Sequence, residues 1–478
     1  MGVAVGLDVG TTGVKALAVS EDGEVLARCE EEYPLSTPRP GWAEQDPEDW
    51  WRASERALAR LDVPAVDGIG LSGQMHGLVA LDAADRVIRP AILWNDGRTG
   101  AECEEIEARV GRDRLIELTG NRALTGFTAP KLLWMRRHEP ELYARIAHVL
   151  LPKDYVRLRL CAERAQDVTD ASGTLLFDVA RRRWSDEVVD ALELERDWLP
   201  PALESPELAG RTPDGVPVAA GAGDQAAGAL GVGVLTASPP FPASIAMGTS
   251  GVVFAALDAY AHDALGRVHA FCHAAPGAWQ AMGVMLSAAG SLRWLRDVAA
   301  PDASFGALVE EAQGWEPGTE GLTFLPYLAG ERTPHADPDA RGAFAGLSLR
   351  HDRGALVRAV LEGVAYGLRD SLDLVAELGR RPGSGRASGG GARSELWLRI
   401  VASVLELPLE RVAVEEGAAY GAALLGGVAG GVWANPQEAV DACVRVRGQV
   451  EPVDAWIEPY REGRERFRGL YPALRAAG

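Results

Sequence analysis

The sequence predicts an α/β protein of two domains on three observations. Runs with helical periodicity alternate with short β-rich runs along the chain, the pattern of layered α/β domains. A hairpin-like opening, "VAVGLDVGTTGVKALAVS", is matched in plan far downstream by "ASIAMGTSGVVFAAL", as expected of two halves built on one design. At 478 residues the chain is also too long for one hydrophobic core.

In order along the chain, the opening reads as two apolar runs joined by a turn of Asp, Gly and Thr, a β-hairpin whose glycines permit the tight turn. Within "DVGTTG", the backbone and hydroxyl groups of Gly10, Thr11 and Thr12 can form a concave anion site, with Asp8 placed to hold a hydrated Mg²⁺. A plain turn, with Asp8 bonding its own backbone, accounts for the same residues. "EDWWRASERALARL" has helical spacing and precedes a strand-like "VDGIGLSG". Gln74, Met75 and His76 then fall where open α/β sheets bind ligands, at a strand's C-terminal end. His76 is there either to bond a substrate hydroxyl or to serve the fold. "ILWNDGRTG" gathers Trp94, Asn95, Asp96 and Arg98, which suits a polyol or simple turn architecture equally.

The stretch "VAAGAGDQAAGALGVGVL" carries one charge, Asp224, among small apolar residues. Asp224 reads as the N-cap of the following helix. It also reads as a carboxylate kept clear of competing charges, able to take a proton from an attacking hydroxyl. An N-cap can leave one oxygen free, so the two roles are compatible. "TASPPFPAS" (236–244), with three prolines, reads as a linker. It divides the chain into an N-terminal domain, 1–236, and a C-terminal domain, 237–478. The second hairpin turn, Gly248, Thr249, Ser250 and Gly251, repeats the first, and two opposed donor turns make a clamp for a polyphosphate. "FLPYLAGERTPHADPDARGAF", with Glu331, Arg332 and His335, is a loop that either closes over a ligand or connects elements in solvent. A long amphipathic helix begins near Gly354 and leads to "RASGGG". Gly390, Gly391 and Ala392 form a small-residue loop at a helix start, open to a flat or anionic ligand or simply a tight turn. The apolar run from Gly417 is Gly/Ala-rich and short for a membrane span, so a buried helix is expected.

Composition narrows the function classes. Hydrophobic residues at 47% and charged residues at 24% fit a folded globular protein. A formal net charge of −20 speaks against a nucleic-acid partner, which requires clustered Lys and Arg. Five dispersed cysteines give neither zinc nor disulfide spacing, and no basic start with a long apolar core follows Met1, so a cytoplasmic protein is expected.

Taken together, "GLDVGTTGVKALAVS", "LSGQMHG", "GFTAPKLLWM", "LLPKDYVRLRL", "DASGT", "GAGDQAAGALGVG", "MGTSGVVF", "LPYLAGERTPH" and "GGGARSE", in this order over nearly the whole chain, resemble the FGGY carbohydrate kinases. The second family signature is matched less well, with Ala355 where a polar or acidic residue is usual, by pattern on a helix surface. The resemblance implies two actin-like, ribonuclease-H-like domains flanking a central cleft. It implies ATP and Mg²⁺ as cofactors, Asp224 as catalytic base and Asp8 as the Mg²⁺-associated acid. The turns at Gly10–Gly13 and Gly248–Gly251, together with Gly389–Ala392, would hold the nucleotide. Met75, His76, Asp224 and Gln225 would contact the sugar. The implied reaction is transfer from ATP to a terminal hydroxyl of a small polyhydroxylated substrate, foremost the 5-hydroxyl of D-xylulose. Gln225 stands where the pentulose-phosphorylating branch usually has Asn, so glycerol, ribulose, gluconate or a tetritol stays open as substrate. A non-catalytic, actin-like sugar sensor or assembly protein is the alternative outside enzymes. No nucleic acid or membrane partner is implied, and a homodimer is open.

Overall fold

The computed structural model describes residues 2–63, 65–236, 241–414 and 416–477. The opening hairpin forms as expected: β1 (Val3–Val9) and β2 (Gly13–Ser20) pair antiparallel, and β3 (Val25–Glu32) continues the meander. After helix α1 (Pro47–Arg60), strand β4 (Gly68–Gly73) returns parallel to β1, with Leu7 opposite Leu71 and Val9 opposite Gly73. Helices α2 (Thr128–His138) and α3 (Pro152–Cys161) follow. Strands β5 (Leu208–Arg211) and β6 (Pro217–Ala219) complete the main sheet order β5-β6-β4-β1-β2-β3, and the short β7 (Ala222–Gly223) pairs with β4 to lead into α4 (Asp224–Gly231).

The second sheet repeats the plan. β8 (Pro242–Met247) and β9 (Gly251–Leu257) form the second hairpin. β10 (His269–Cys272) and β11 (Trp279–Met285) extend the antiparallel side. Helix α5 (Phe305–Ala312) and the long α6 (Arg353–Glu377) lead to β12 (Ser384–Ser388), which lies parallel to β8. Helix α7 (Glu395–Leu405), strand β13 (Leu409–Val412), helix α8 (Gly417–Ala429) and strand β14 (Val446–Val450) follow, for a sheet order β10-β11-β9-β8-β12-β13-β14. In each sheet an antiparallel meander is joined on its first strand by a strand parallel to it. That shared topology is the actin-like, ribonuclease-H-like plan, and it bears out the duplication read from the two turns.

Helix α8 joins the two halves. It lies on the first sheet so tightly that a Cβ at Gly70 would sit 1.9 Å from the Ala422 carbonyl oxygen, and one at Gly6 would sit 2.0 Å from that of Ala419. The alternating glycines of "GIGLSG" and the Gly/Ala composition of α8 therefore serve one close helix–sheet contact. No helix among the described residues is long and apolar enough to cross a membrane.

Two local expectations are corrected. Ala355 is fully buried, because α5 packs on this end of α6, so closely that a Cβ on the neighbouring Gly354 would lie 2.6 Å from the Glu311 carbonyl oxygen. The expected linker is shorter than "TASPPFPAS": Pro242 already begins β8, while residues 237–240 lie outside the described residues.

Candidate active site

The second hairpin turn, the segment after the C-terminal end of β4 and the start of α4 meet at a cleft. Met75, His76, Asp224 and Gln225 line one cavity together with Ser250 of the second turn. The first turn does not line this cavity but is tied to it through Trp94, which lines it and bonds Thr11.

Asp224 is the first residue of α4 rather than its N-cap; Gly223 takes the cap position with no side-chain bond. The N-cap reading is therefore corrected. The β7 strand runs directly into the helix, and Asp224 lines the cleft while its carboxyl accepts from Gln225 in the first turn of the helix. Burial, then the nearby charge of Asp8, pushes the Asp224 carboxyl up to about 7, against the opposing pull of hydrogen bonds from Gln225. The carboxyl is thus poised near neutral pH.

Asp8 lies near the end of β1 and accepts a hydrogen bond from the Ser72 hydroxyl at 3.1 Å. Burial raises its carboxyl as well, opposed by Ser72 and Lys15. The Asp8 charge disfavours ionisation of Asp224, and the hard carboxylate oxygens of Asp8 fit Mg²⁺.

The first turn is braced from below. Gln74 donates from Nε2 to the Gly10 carbonyl at 3.1 Å and to Gln45 Oε1 at 2.9 Å, while Gln45 donates to the Thr11 carbonyl at 2.7 Å. Trp94 Nε1 donates to the Thr11 hydroxyl at 3.0 Å, and Tyr33 donates to the Gly10 carbonyl. Thr12 stays exposed at the tip. These bonds occupy the Gly10 and Thr11 carbonyls, and the Gly10 N–H closes the turn on the Gly13 carbonyl at 3.0 Å. The Asp96–Arg98 pair of the same "WNDGR" segment is architectural: Arg98 Nη2 lies 2.6 Å from Asp96, both buried, with the guanidinium over the Trp42 ring.

In the second turn, Thr249 and Gly248 carbonyls accept from Ala288 and Ala289 at 2.8 Å each, and the Ser250 hydroxyl donates to Leu286 O. The glycine loop packs against it. Gly389 has a φ of +82°, and a Cβ there would lie 2.7 Å from Met247 carbonyl carbon and 2.9 Å from Gly248 N. Only glycine permits both the conformation and the approach. Gly390, Gly391 and Ala392 form a 3₁₀ turn ahead of α7, and Gly389 and Ala392 line a second cavity with Arg411 and Val412.

His76 occupies the left-handed region, φ 69°, a conformation that needs support in a non-glycine residue. The family signature on α2 supplies it: buried Lys131 donates to the His76 carbonyl at 2.8 Å and Thr128 donates to it at 3.1 Å. The ring Nδ1 lies 2.6 Å from the Gly173 carbonyl. A carbonyl only accepts, so Nδ1 carries the proton and Nε2 is an acceptor. Burial holds the imidazole neutral, pulling it down to about 3.

Beneath Asp224 is a buried charge cluster that the sequence did not reveal. The Lys153 ammonium sits 2.6, 2.5 and 2.9 Å from carboxylate oxygens of Asp154, Asp167 and Asp170. These carboxylates are close enough to share a cation, and Lys153 is that cation. The cluster reaches the site directly: Thr169, bonded to Asp167, accepts from the Gly223 N–H at 2.8 Å. Burial and neighbouring carboxylates raise Asp170, while Lys153 opposes. The motifs "PKDYV" and "DASGT" thus meet under the residue that precedes Asp224.

The second half also lines this cavity with His269 and Arg332, beside the apolar Val252, Met282 and Val284. His269 lies in no motif. Arg332 lies in the "GERTPH" loop, one of whose two expected roles was closure over a ligand.

The comparisons with known proteins agree with this geometry. The model of the FGGY family of carbohydrate kinases, N-terminal domain, matches residues 3–231, and that of the C-terminal domain matches 243–430. The chain is 45% identical to a xylulose kinase of Escherichia coli strain K12, covering 98% of this chain and 99% of that one. It superposes with a TM-score of 0.93 on a xyloylose kinase from Brucella ovis, 42% identical with both chains fully covered. A xylulose kinase from Rhodospirillum rubrum gives 0.92 at 32% identity, over 99% of each chain. By family models that span most of its length and a relative of this identity, the chain belongs to the FGGY family of carbohydrate kinases.

Proposed function

We propose that the protein transfers the γ-phosphoryl group of ATP to the 5-hydroxyl of D-xylulose, giving D-xylulose 5-phosphate and ADP. The observation that carries this reading is the placement of Asp224. Its carboxyl, poised near neutrality, shares a cavity with the acceptor face of His76 and with Gln225, beside the two glycine turns. In the transfer, the sugar oxygen forms the new bond to phosphorus, the bond to the β,γ-bridging oxygen breaks, and the sugar's proton passes to Asp224. The donor turns at Gly10–Gly13 and Gly248–Gly251 hold the phosphates, and Gly389–Ala392 gives the nucleotide a close backbone surface. Asp8 would hold Mg²⁺, which when bound offsets phosphate charge. Met75 packs against Gly223 and His76 accepts from a sugar hydroxyl, which orients the substrate toward Asp224. Gln225 keeps an amide beside the base and is compatible with a pentulose.

The same reading makes 1–236 and 237–478 the sugar-side and nucleotide-side segments of a cytoplasmic enzyme. A coupled ADP-release assay across D-xylulose, D-ribulose, glycerol and gluconate tests it. D-Xylulose should give the highest kcat/KM; a preference for glycerol or gluconate overturns the substrate, and ATP turnover indifferent to every sugar overturns the activity.

A further inference from the structure

Arg332 is held in the cleft by its neighbours while its own guanidinium is left free. Glu331, buried, accepts from the N–H groups of Leu286 at 3.0 Å and Arg332 at 2.7 Å. Thr333 accepts from the Val284 N–H at 3.0 Å and donates to the Arg267 carbonyl at 2.9 Å. The loop is therefore pinned on both sides of residue 332 to the end of β11. Among the described residues no side chain or carbonyl pairs with the Arg332 guanidinium, although it lines the cavity that contains Asp224. A fold that fixes a cation at a cavity wall, with the Glu331 charge nearby but no hydrogen bond on the guanidinium, reserves its donors for a ligand.

The surrounding groups define which ligand atom that is. His269 Nδ1 lies 2.6 Å from Asn121 Oδ1, and the Asn121 amide nitrogen already donates to the Thr119 and Ala270 carbonyls, at 2.8 and 3.2 Å. Those bonds fix the amide orientation, so His269 Nδ1 carries the proton and its Nε2 is an acceptor, as in His76. Asp224, His76 and His269 thus present acceptors, the partners that hydroxyl groups require. Arg332 presents donors only. The rings of His76 and His269 both stand edge-on to Phe127, 4.7 and 5.9 Å from it, and form one wall of the cavity that Arg332 also lines. The Arg332 charge acts on both rings and disfavours their protonation, which groups Arg332 with the histidines.

The substrate chemistry matches. D-Xylulose closes a ring only by adding O5 to its C2 carbonyl, so an enzyme that phosphorylates O5 must take the open chain, whose carbonyl is free. That carbonyl is the one group of the sugar that accepts and cannot donate. We propose that Arg332 donates to the carbonyl oxygen of the open-chain ketose and is a specificity residue for ketoses over polyols, with His269 Nε2 accepting from a neighbouring hydroxyl. The inference rests on the ketose-kinase reading above.

The test compares kcat/KM for D-xylulose with that for xylitol and D-arabinitol, the pentitols formed by reducing its carbonyl, in wild type, Arg332→Met and Arg332→Gln. Losing a charged donor to a carbonyl should lower kcat/KM for D-xylulose by about 30–100-fold, and the pentitol values by roughly a tenth of that factor or less. The ratio between acceptors is read on one preparation, so any loss of folded enzyme cancels. Equal losses on ketose, pentitols and sugar-independent ATP hydrolysis would place Arg332 on the phosphoryl group and overturn the assignment. An unchanged ratio overturns it too. A wild type that ignores D-xylulose but takes another ketose refutes only the substrate reading, and the same ratio is then read on that ketose and its reduced form. A wild type that prefers glycerol overturns both.

Discussion

Replacing Asp224 by Asn separates the chemical role of the carboxyl from its cost to the fold. In the wild type, burial and the Asp8 charge lift the carboxyl from 3.8 to about 7. Its proton is bound more tightly in the folded than in the unfolded chain, so stability falls as pH rises from about 4 to 7 and the full penalty stands above 7. At 1.36 kcal/mol per pH unit over about three units, that penalty is about 4 kcal/mol. Asp224→Asn removes it. The variant should match the wild-type melting temperature near pH 4 and exceed it at pH 8 by roughly 4–10 °C. Over the same range, sugar phosphorylation should fall by about 10²–10⁴-fold at pH 8. The wild-type kcat/KM for sugar, measured with ATP far below saturation, should lose about fivefold between pH 7 and 6 as the base is protonated. The assays are a thermal melt across pH and coupled ADP release. A variant that is less stable at pH 8, or that keeps near-normal turnover, would refute the reasoning.

Asp8→Ala should chiefly damage Mg·ATP-dependent steps, while D-xylulose binding measured by calorimetry without nucleotide persists; collapse of sugar affinity instead would show that Asp8 serves the sugar. Gln74→Ala removes the donor that holds the Gly10 carbonyl, and should raise KM for ATP about tenfold, from a loss of roughly 1–3 kcal/mol, with a smaller change in KM for sugar. Lys153→Met leaves buried Asp167 and Asp170 without their cation, while Asp154 keeps Arg157 at 3.0 Å, and should destabilise the protein by about 3–5 kcal/mol in a denaturant titration; a near-neutral effect would contradict the pairing.

What the sequence made legible was local. The turns at Gly10–Gly13 and Gly248–Gly251 are written in adjacent residues, and their match announced the duplicated fold. Asp224 stood out because its neighbours carry no charge. Lys153, Lys131 and His269 were not legible, because their roles lie in partners far along the chain: Lys153 with Asp167 and Asp170, Lys131 with the His76 carbonyl, His269 with Asn121. A lysine inside a helical pattern looks solvated until the helix is known to be covered. Ala355 misled for the same reason in reverse, since periodicity placed it on a face that α5 then buries. Helix α8 announced its burial by composition, yet nothing in its sequence said that it would seat on the first sheet.

The measurement that bears most directly on the central claim is the position of the new phosphate. Wild-type protein incubated with Mg·ATP and D-xylulose should yield one sugar phosphate whose phosphorus, by NMR, couples to the C5 protons, with ADP formed in equal amount, and Asp224→Asn should yield almost none. A phosphate on another carbon, ADP without phosphorylated sugar, or the same product from Asp224→Asn would contradict it.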